Sequence, residues 1–173
     1  RPVLGRVPAL GEAEAMAALA AAKRASDLGR GVWPCATMAE RLKAVETFLA
    51  KLKPLRAEVV KLLMWEIGKP KGDADKEFDR TVAYVRDTVH AVKDLDRQSS
   101  RFVIEQGVFG QIRRSPLGVV LCMGPYNHPL NETWTTLIPA LIMGNTIVAK
   151  LPRFGQLLHR PAGSAGHLDH RAR

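Results

Sequence analysis

The amino-terminal part of the chain has the apolar periodicity of helices. Residues 12–27 are rich in alanine, the strongest helix former, and Gly29 is expected to end this segment. A second helix is expected near Met38, because Thr37 and Glu40 stand at the spacing of a capping box. Its apolar residues recur every three or four positions, so one face of this helix is predicted to be buried.

Two further helices are expected before the pattern changes. Pro54 breaks the second helix and can open a third, which Gly68 ends. Asp73 is expected to cap the fourth and longest helix. Apolar residues recur along this helix at steps of three and four from Phe78 to Val92, so it carries a regular buried face.

The carboxyl-terminal part shows strand patterns. Residues 101–115 predict a β-hairpin that turns at Gly107. Next, a strand at 119–123, a helix at 132–143 and a strand at 146–150 predict one βαβ unit with a right-handed crossover. The chain is therefore assigned to the α/β class. Because open α/β sheets bind ligands outside the carboxyl ends of their strands, a small-molecule site is expected at that edge.

Composition and charge restrict the class of function. Hydrophobic residues make up 46% of the chain and charged residues 25%, as in soluble globular proteins, and no apolar run is long enough to cross a membrane. The net charge is +9, but Lys and Arg mostly alternate with Asp and Glu, and aromatic residues are only 6%. Specific nucleic-acid binding is therefore the minor alternative. The basic residues are expected instead to bind small anionic ligands such as phosphates.

The two cysteines have neither the pattern of a disulfide framework nor that of a metal site, so a reducing cytoplasm is the expected compartment. Cys122 lies within an apolar strand and is expected to be a packed thiol. Residues 159–173 have no apolar periodicity and are expected to form a disordered tail. His167, Asp169 and His170 of this tail could be imagined as metal ligands, but nothing holds them in tetrahedral geometry, so no metal site is expected.

Asn127 is the main candidate for chemistry. It lies in a turn stiffened by Pro125 and Pro129, after the first strand of the βαβ unit. A side-chain amide held rigidly at that edge can donate a hydrogen bond to a developing oxyanion. The commoner use of asparagine in loops is to stabilise its own turn. The residues alone leave both roles open.

Four short motifs in residues 115–155 occur together in one known family. They are Pro125-Tyr126-Asn127-His128-Pro129, Pro139-Ala140-Leu141, Gly144-Asn145 and Lys150-Leu151-Pro152. The stretch resembles the first strand, helix and strand of the cofactor domain in the aldehyde dehydrogenase superfamily, and residues 62–88 resemble the preceding helices. Within this superfamily, the stretch most resembles the non-phosphorylating, NADP-dependent glyceraldehyde-3-phosphate dehydrogenases. Residues 1–158 would then be the amino-terminal part of a Rossmann-like cofactor domain, with 101–115 in its oligomerisation element.

The resemblance implies roles for residues on the substrate side. Asn127 would donate its amide to the thiohemiacetal oxyanion, and His128 would line the substrate pocket. Arg80 matches an arginine that contacts substrate in the glyceraldehyde-3-phosphate subfamily, yet it lies on a helix side that is usually solvated, so both interpretations stay open. The implied substrate is a small aldehyde, glyceraldehyde 3-phosphate in that subfamily.

The resemblance also implies a cofactor site. Gly124, Pro125 and Tyr126 would run along the nicotinamide ribose and the phosphates. Lys150 would bind the adenosine ribose hydroxyls or a 2′-phosphate, with an ordinary surface lysine as the alternative. Arg153 would add a second cation at the adenosine end, which favours NADP as cofactor, although NAD is also compatible.

The family's nucleophilic cysteine and catalytic glutamate have no counterpart in this chain. Neither Cys35 nor Cys122 stands in a matching motif, so the chain alone is expected to be inactive. The family pattern is lost abruptly after Pro161, which suggests a truncated or frame-shifted reading frame. The alternative function is that of an inactive fragment that binds cofactor weakly or joins full-length subunits through residues 101–115. Full-length members are expected to be homo-oligomers.

Overall fold

The structure, a computed structural model, describes residues 3–99 and 101–161. The helices are α1 Glu12–Ser26, α2 Val32–Cys35, α3 Met38–Leu52, α4 Arg56–Ile67, α5 Lys71–Ser99 and α6 Pro129–Ile142. The strands are β1 Val103–Glu105, β2 Val108–Gly110, β3 Val119–Met123 and β4 Thr146–Lys150. The predicted α/β class is confirmed.

Local signals place the ends of α3 and α4. The Thr37 hydroxyl accepts from the Glu40 N–H at 3.2 Å, and the Glu40 carboxylate accepts from the Thr37 N–H at 2.7 Å. This is the predicted capping box. Gly68 ends α4 with a φ of 69°, in the left-handed region that glycine adopts without steric cost.

Helix α5 begins at Lys71, ahead of the predicted cap Asp73. The Pro70 carbonyl already accepts from the N–H groups of Asp73 and Ala74, at 3.0 and 2.9 Å, so the helical turn is closed before Asp73 could cap it. The predicted cap is therefore wrong, and Asp73 lies in the first turn, where its charge complements the helix dipole. No helix in the described part has both the length and the apolar character that crossing a bilayer requires.

The strands form two separate pairs within the described residues. Strands β1 and β2 are antiparallel, with Ile104 opposite Phe109, and the hairpin turns at Gly107 as predicted. Strands β3 and β4 are parallel, with Met123 beside Lys150 at their carboxyl ends. Helix α6 connects β3 to β4 and packs on both. The predicted hairpin and βαβ unit are thus confirmed. Helix α6 begins at Pro129, ahead of the predicted residue 132, because proline is favoured at the first position of a helix.

The apolar core lies between α3, α4, α5 and α6. Phe48 of α3 stacks on Trp134 of α6, with ring centroids 4.6 Å apart. Leu63 of α4 and Phe78 of α5 are buried in the same cluster. Cys122 of β3 is buried as predicted, and burial raises the pKa of its thiol. These contacts fix α6 against the helices that precede the sheet.

Asn145 fastens the end of α6 to the start of β3. Its side-chain oxygen accepts from the N–H groups of Leu117 and Gly118, at 2.7 and 3.0 Å. Its side-chain amide donates to the Ala140 carbonyl at 2.9 Å. One side chain therefore sets the position of the first strand relative to the helix that crosses back over it.

The end of the described part differs from the predicted tail. Residues 159–161 form a helical turn, and His159 is only 7% exposed, with its ring centroid 6.2 Å from that of Trp134. The prediction of disorder from residue 159 is therefore wrong for His159, because tertiary packing on Trp134 orders it. Residues 162–173 of the predicted tail lie outside the described residues, and with them the imagined metal ligands His167, Asp169 and His170.

Candidate active site

The two parallel strands end side by side, and the loops that follow them define one edge. Met123 ends β3 beside Lys150, which ends β4. Residues 124–128 continue from β3 and residues 151–155 from β4. The structure therefore brings the predicted residues of both loops to the edge where open α/β sheets bind ligands.

Asn127 is exposed at this edge, and its side-chain amide makes no hydrogen bond with any residue in the described part. Its backbone carbonyl accepts from the Lys69 ammonium at 2.7 Å. An asparagine that stabilises its own turn uses its side chain for a local hydrogen bond. Here Lys69 holds the turn instead, which leaves the Asn127 amide available to a ligand.

Residues 124–128 are called the Asn127 loop below. Lys69 and Glu77 form a nearly buried ion pair behind this loop, with side chains 11% and 1% exposed. The Lys69 ammonium also lies 3.2 Å from Nδ1 of His128. The second Glu77 oxygen accepts from the N–H groups of Leu130 and Asn131, at 2.9 and 3.2 Å. The first turn of a helix leaves such N–H groups without helical partners, so Glu77 of α5 caps α6 from outside it.

Sequence reasoning missed Lys69 and Glu77. Glu77 occupies the buried face of α5 together with Ala74, Phe78 and Thr81. A carboxylate on the buried face of a helix needs hydrogen-bond or ion-pair partners. The position of Glu77 in this apolar pattern was the sequence signal that could have identified it. Lys69 lies in the loop between α4 and α5 and carries no comparable signal.

A cavity of about 420 Å³ opens beside the Asn127 loop. Arg80, Asn127 and His128, the three predicted substrate residues, all line it. The rest of its wall consists of charged and amide side chains, namely Lys69, Asp73, Lys76, Glu77, Asn131 and Glu132. The Arg80 guanidinium is exposed and forms no ion pair within residues 3–99 and 101–161. The cavity thus offers an unpaired cation near an unpaired amide.

Gly124 follows β3 where the chain passes closest to α6. A Cβ at this position would lie 2.0 Å from the Thr133 hydroxyl oxygen, which itself donates to the Pro129 carbonyl at 2.6 Å. No side chain fits in that space, so the loop can run tightly against the first turn of α6 only with glycine here. Pro125 and Tyr126 continue the loop and are exposed at the edge.

Lys150 and Arg153 are both exposed on the β4 side of the edge. The guanidinium carbon of Arg153 lies 5.4 Å from the centroid of the Phe154 ring. Neither cation is ion-paired with another residue that the structure describes. Both are therefore free to meet phosphate or ribose groups at the edge that also carries Asn127.

The loop after β4 is held by a residue that sequence reasoning also missed. Glu66, in the last turn of α4, accepts from the N–H groups of Gln156 and Leu157, at 2.6 and 2.9 Å. The partners stand 90 residues apart in the chain, so no local spacing reveals them. Glu66 thus binds the backbone immediately beyond Gly155, the last residue of this loop.

Residues 1–159 match the family described as the aldehyde dehydrogenase family. The chain belongs to the aldehyde dehydrogenase family. The N-succinylglutamate 5-semialdehyde dehydrogenase of Chromobacterium violaceum is 30% identical over 140 residues, which cover 81% of this chain and 28% of that relative. The chain therefore spans less than a third of the length of this family member.

Two solved structures have the same fold over almost the whole chain. The NADP-dependent glyceraldehyde-3-phosphate dehydrogenase from Bacillus halodurans C-125, complexed with NADP, has a TM-score of 0.80 and 29% identity and covers 94% of this chain, with 34% of its own length matched. PnpE, in complex with nicotinamide adenine dinucleotide, has a TM-score of 0.76 and 28% identity, with coverages of 94% and 33%. Because the similar proteins are named for different aldehydes, the comparisons support the family and leave the predicted glyceraldehyde-3-phosphate subfamily unconfirmed.

Proposed function

We propose that this chain provides the binding and polarising part of an enzyme that oxidises an anionic aldehyde with a nicotinamide dinucleotide. The observation that carries the proposal is the unpartnered Asn127 amide, held at the carboxyl edge of the parallel strands where Lys150 ends β4. A donor of this kind stabilises an oxygen that gains negative charge as a nucleophile adds to its carbonyl. Lys69 supports this role, since it holds the Asn127 backbone and leaves the side chain free.

The residues at the edge fit a nicotinamide dinucleotide in charge and shape. Lys150 and Arg153 are exposed, unpaired cations for ribose hydroxyls and a 2′-phosphate. Gly124, Pro125 and Tyr126 would follow the nicotinamide ribose and the phosphates. When bound, the cofactor accepts the hydride from the substrate carbon. NADP is the proposed cofactor because Arg153 supplies a second cation, and NAD is the alternative that would need Lys150 alone.

Arg80 and His128 would set the class of aldehyde. Both line the cavity beside Asn127, and the Arg80 guanidinium is free to bind an anionic group. Glyceraldehyde 3-phosphate is the proposed substrate, as in the name of the Bacillus halodurans relative. The Chromobacterium violaceum relative is named for a different aldehyde, N-succinylglutamate 5-semialdehyde, whose anionic groups are carboxylates. The chemistry common to both is an aldehyde with an anionic group.

Replacing Lys150 with alanine is expected to weaken NADP binding by about tenfold or more, because a charged hydrogen bond contributes about 1.5–3 kcal/mol. Isothermal titration calorimetry on the purified chain measures this directly. Lys43→Ala is the matched control, since Lys43 is an exposed lysine on α3 away from the edge. Equal NADP affinities for the two variants would contradict the assignment of Lys150.

The chain alone is expected to show no aldehyde oxidation. An attacking thiol must ionise, and burial in β3 raises the pKa of the Cys122 thiol. Cys35, the other cysteine, is exposed on α2, where its Sγ lies 3.5 Å from the Gly29 carbonyl, and it does not line the Asn127 cavity. NADPH absorbance in the presence of glyceraldehyde 3-phosphate and NADP checks this expectation. NADPH formation by the wild-type chain at a rate above that of the Lys150→Ala variant would refute this expectation.

A second candidate function is association with other subunits through the β1–β2 hairpin. Ile104 and Phe109 form a cross-strand pair in which both side chains are largely exposed, and such an apolar hairpin tends to pair with another chain. Size-exclusion chromatography is expected to show a complex of the chain with itself or with a full-length family member, and Phe109→Lys is expected to abolish that complex. Leu28→Lys, at an exposed leucine remote from the hairpin in sequence, is the control. Elution of the wild-type chain as a monomer, with and without a full-length family member, would remove this candidate.

A further inference from the structure

Lys69 lies at the corner where α4 meets α5, with Glu66 in the last turn of α4 and Glu77 in the second turn of α5. Glu66 and Lys69 bind the backbone that follows β4 and β3, and Glu77 binds the first turn of α6. We infer that these three side chains hold two loops in one fixed arrangement. The loops are the cofactor loop, residues 151–155 after β4, and the Asn127 loop after β3. The inference rests on the proposed function, and it assigns to the three side chains a role that acts through Asn127, Lys150 and Arg153.

Glu66 holds the cofactor side. Both of its carboxylate oxygens accept from the Leu157 N–H, at 3.0 and 2.9 Å, and one also accepts from the Gln156 N–H at 2.6 Å. These N–H groups lie at the start of the helical turn that follows Gly155, so their direction fixes where the loop leaves the edge. A carboxylate suits this place because the amino-terminal end of a helical turn is electropositive.

Lys69 and Glu77 hold the Asn127 side. Glu77 binds the N–H groups of the first turn of α6, and Lys69 binds the Asn127 carbonyl, so one ion pair holds the junction between the loop and α6. The pair is nearly buried, and each charge therefore depends on the other. Moving either side chain would change the direction of the Asn127 amide.

The loop after β4 also touches the start of α6. A Cβ on Gly155 would lie 2.4 Å from Cβ of Pro129, the first residue of α6, and Gly155 has a φ of 95° that only glycine adopts freely. Ile67, next to Glu66, would lie 3.7 Å from the same Cβ. The cofactor loop thus packs against both the end of α4 and the start of α6. A shift at Glu66 would displace the cations of the cofactor loop relative to the Asn127 amide.

Hydrogen exchange measured by NMR on the full chain tests the inference without any cofactor. In Glu66→Gln, the amides of residues 156–158 are expected to exchange about tenfold faster, since one lost cap interaction opens the turn locally. In Lys69→Met, the faster amides are expected instead at Leu130 and Asn131, whose N–H groups donate to Glu77. Glu105→Gln, the same charge change at an exposed site on β1, is expected to exchange like the wild-type chain.

Titration with NADP supplies the functional readout. Glu66→Gln is expected to bind NADP about tenfold more weakly than Glu105→Gln, with circular dichroism used to check that both variants are folded. If Glu66→Gln does not fold, Glu66→Asp, which keeps the charge and shortens the reach, serves in its place. Unchanged exchange at 156–158, equal acceleration at all amides, or wild-type NADP affinity in a folded Glu66 variant would each overturn the inference. If the wild-type chain itself fails to bind NADP, the proposed function fails, and the exchange pattern still decides the positioning role.

Discussion

Replacing Glu77 with leucine is expected to lower the free energy of unfolding by about 3–5 kcal/mol, the usual cost of removing one partner of a buried ion pair. The variant leaves the Lys69 ammonium nearly buried without its carboxylate. It also leaves the N–H groups of Leu130 and Asn131 without an acceptor at the start of α6. Urea unfolding followed by circular dichroism measures the change.

Two comparisons separate this cause from a general loss of packing. The double variant Lys69→Met/Glu77→Leu is expected to be more stable than Glu77→Leu alone, because no unpaired charge remains buried. Glu58→Leu, on the exposed side of α4, is expected to change the free energy of unfolding by less than about 0.5 kcal/mol. A loss for Glu77→Leu no larger than that for Glu58→Leu would show that the pair does not hold α6.

Acidification from pH 7 to pH 4 is expected to lower the free energy of unfolding by about 3 kcal/mol more in the wild-type chain than in His159→Gln. Burial lowers the pKa of His159 to about 4, from the ordinary value of 6.5. The folded state therefore keeps this imidazole neutral while the unfolded chain takes up a proton. The stability that this group contributes is present above pH 6.5 and is lost as the pH falls toward 4.

The structural basis of this loss is the surroundings of His159. Its Nε2 atom has no hydrogen-bond partner among the described residues, and the ring packs near Trp134, so a proton on that nitrogen would be buried without an acceptor. Urea unfolding at several pH values gives the slope for each variant. His90→Gln, at an exposed histidine on α5, is expected to keep the wild-type slope. Parallel slopes for wild type and His159→Gln would contradict the prediction.

Elements encoded by neighbouring residues could be predicted from the sequence. The capping box of Thr37 and Glu40, the turn at Gly107 and both strands of the βαβ unit each depend on contacts within a few residues or on a short apolar run. Asn127 and His128 also lie at the predicted edge, because the order of strand, loop and helix fixes it. Arg80 reaches the same cavity through the packing of α5 on α6. Contacts between neighbouring residues were therefore enough to predict most of the helices and strands and the edge at which the site lies.

Residues whose partners are distant in the chain could not be predicted in this way. Lys69 meets Asn127 across 58 positions, and Glu66 meets Gln156 across 90. His159 stands in a segment without apolar periodicity, and its burial depends on Trp134 of a separate helix. In each case the tertiary fold supplies the partner, and no spacing along the chain records it.

The central claim is that the two strand-end loops form one dinucleotide site, and chemical-shift mapping by NMR tests it most directly. Addition of NADP to the isotope-labelled chain is expected to shift the backbone amide signals of both loops together, with one common dissociation constant. These signals are those of Gly124, Tyr126, Asn127, Lys150, Leu151 and Arg153. The Asn127 side-chain amide is expected to shift with them, and the signals of the β1–β2 hairpin are expected to stay unchanged. Saturating NADP that leaves both loops unshifted, or that shifts only residues away from the edge, would contradict the account.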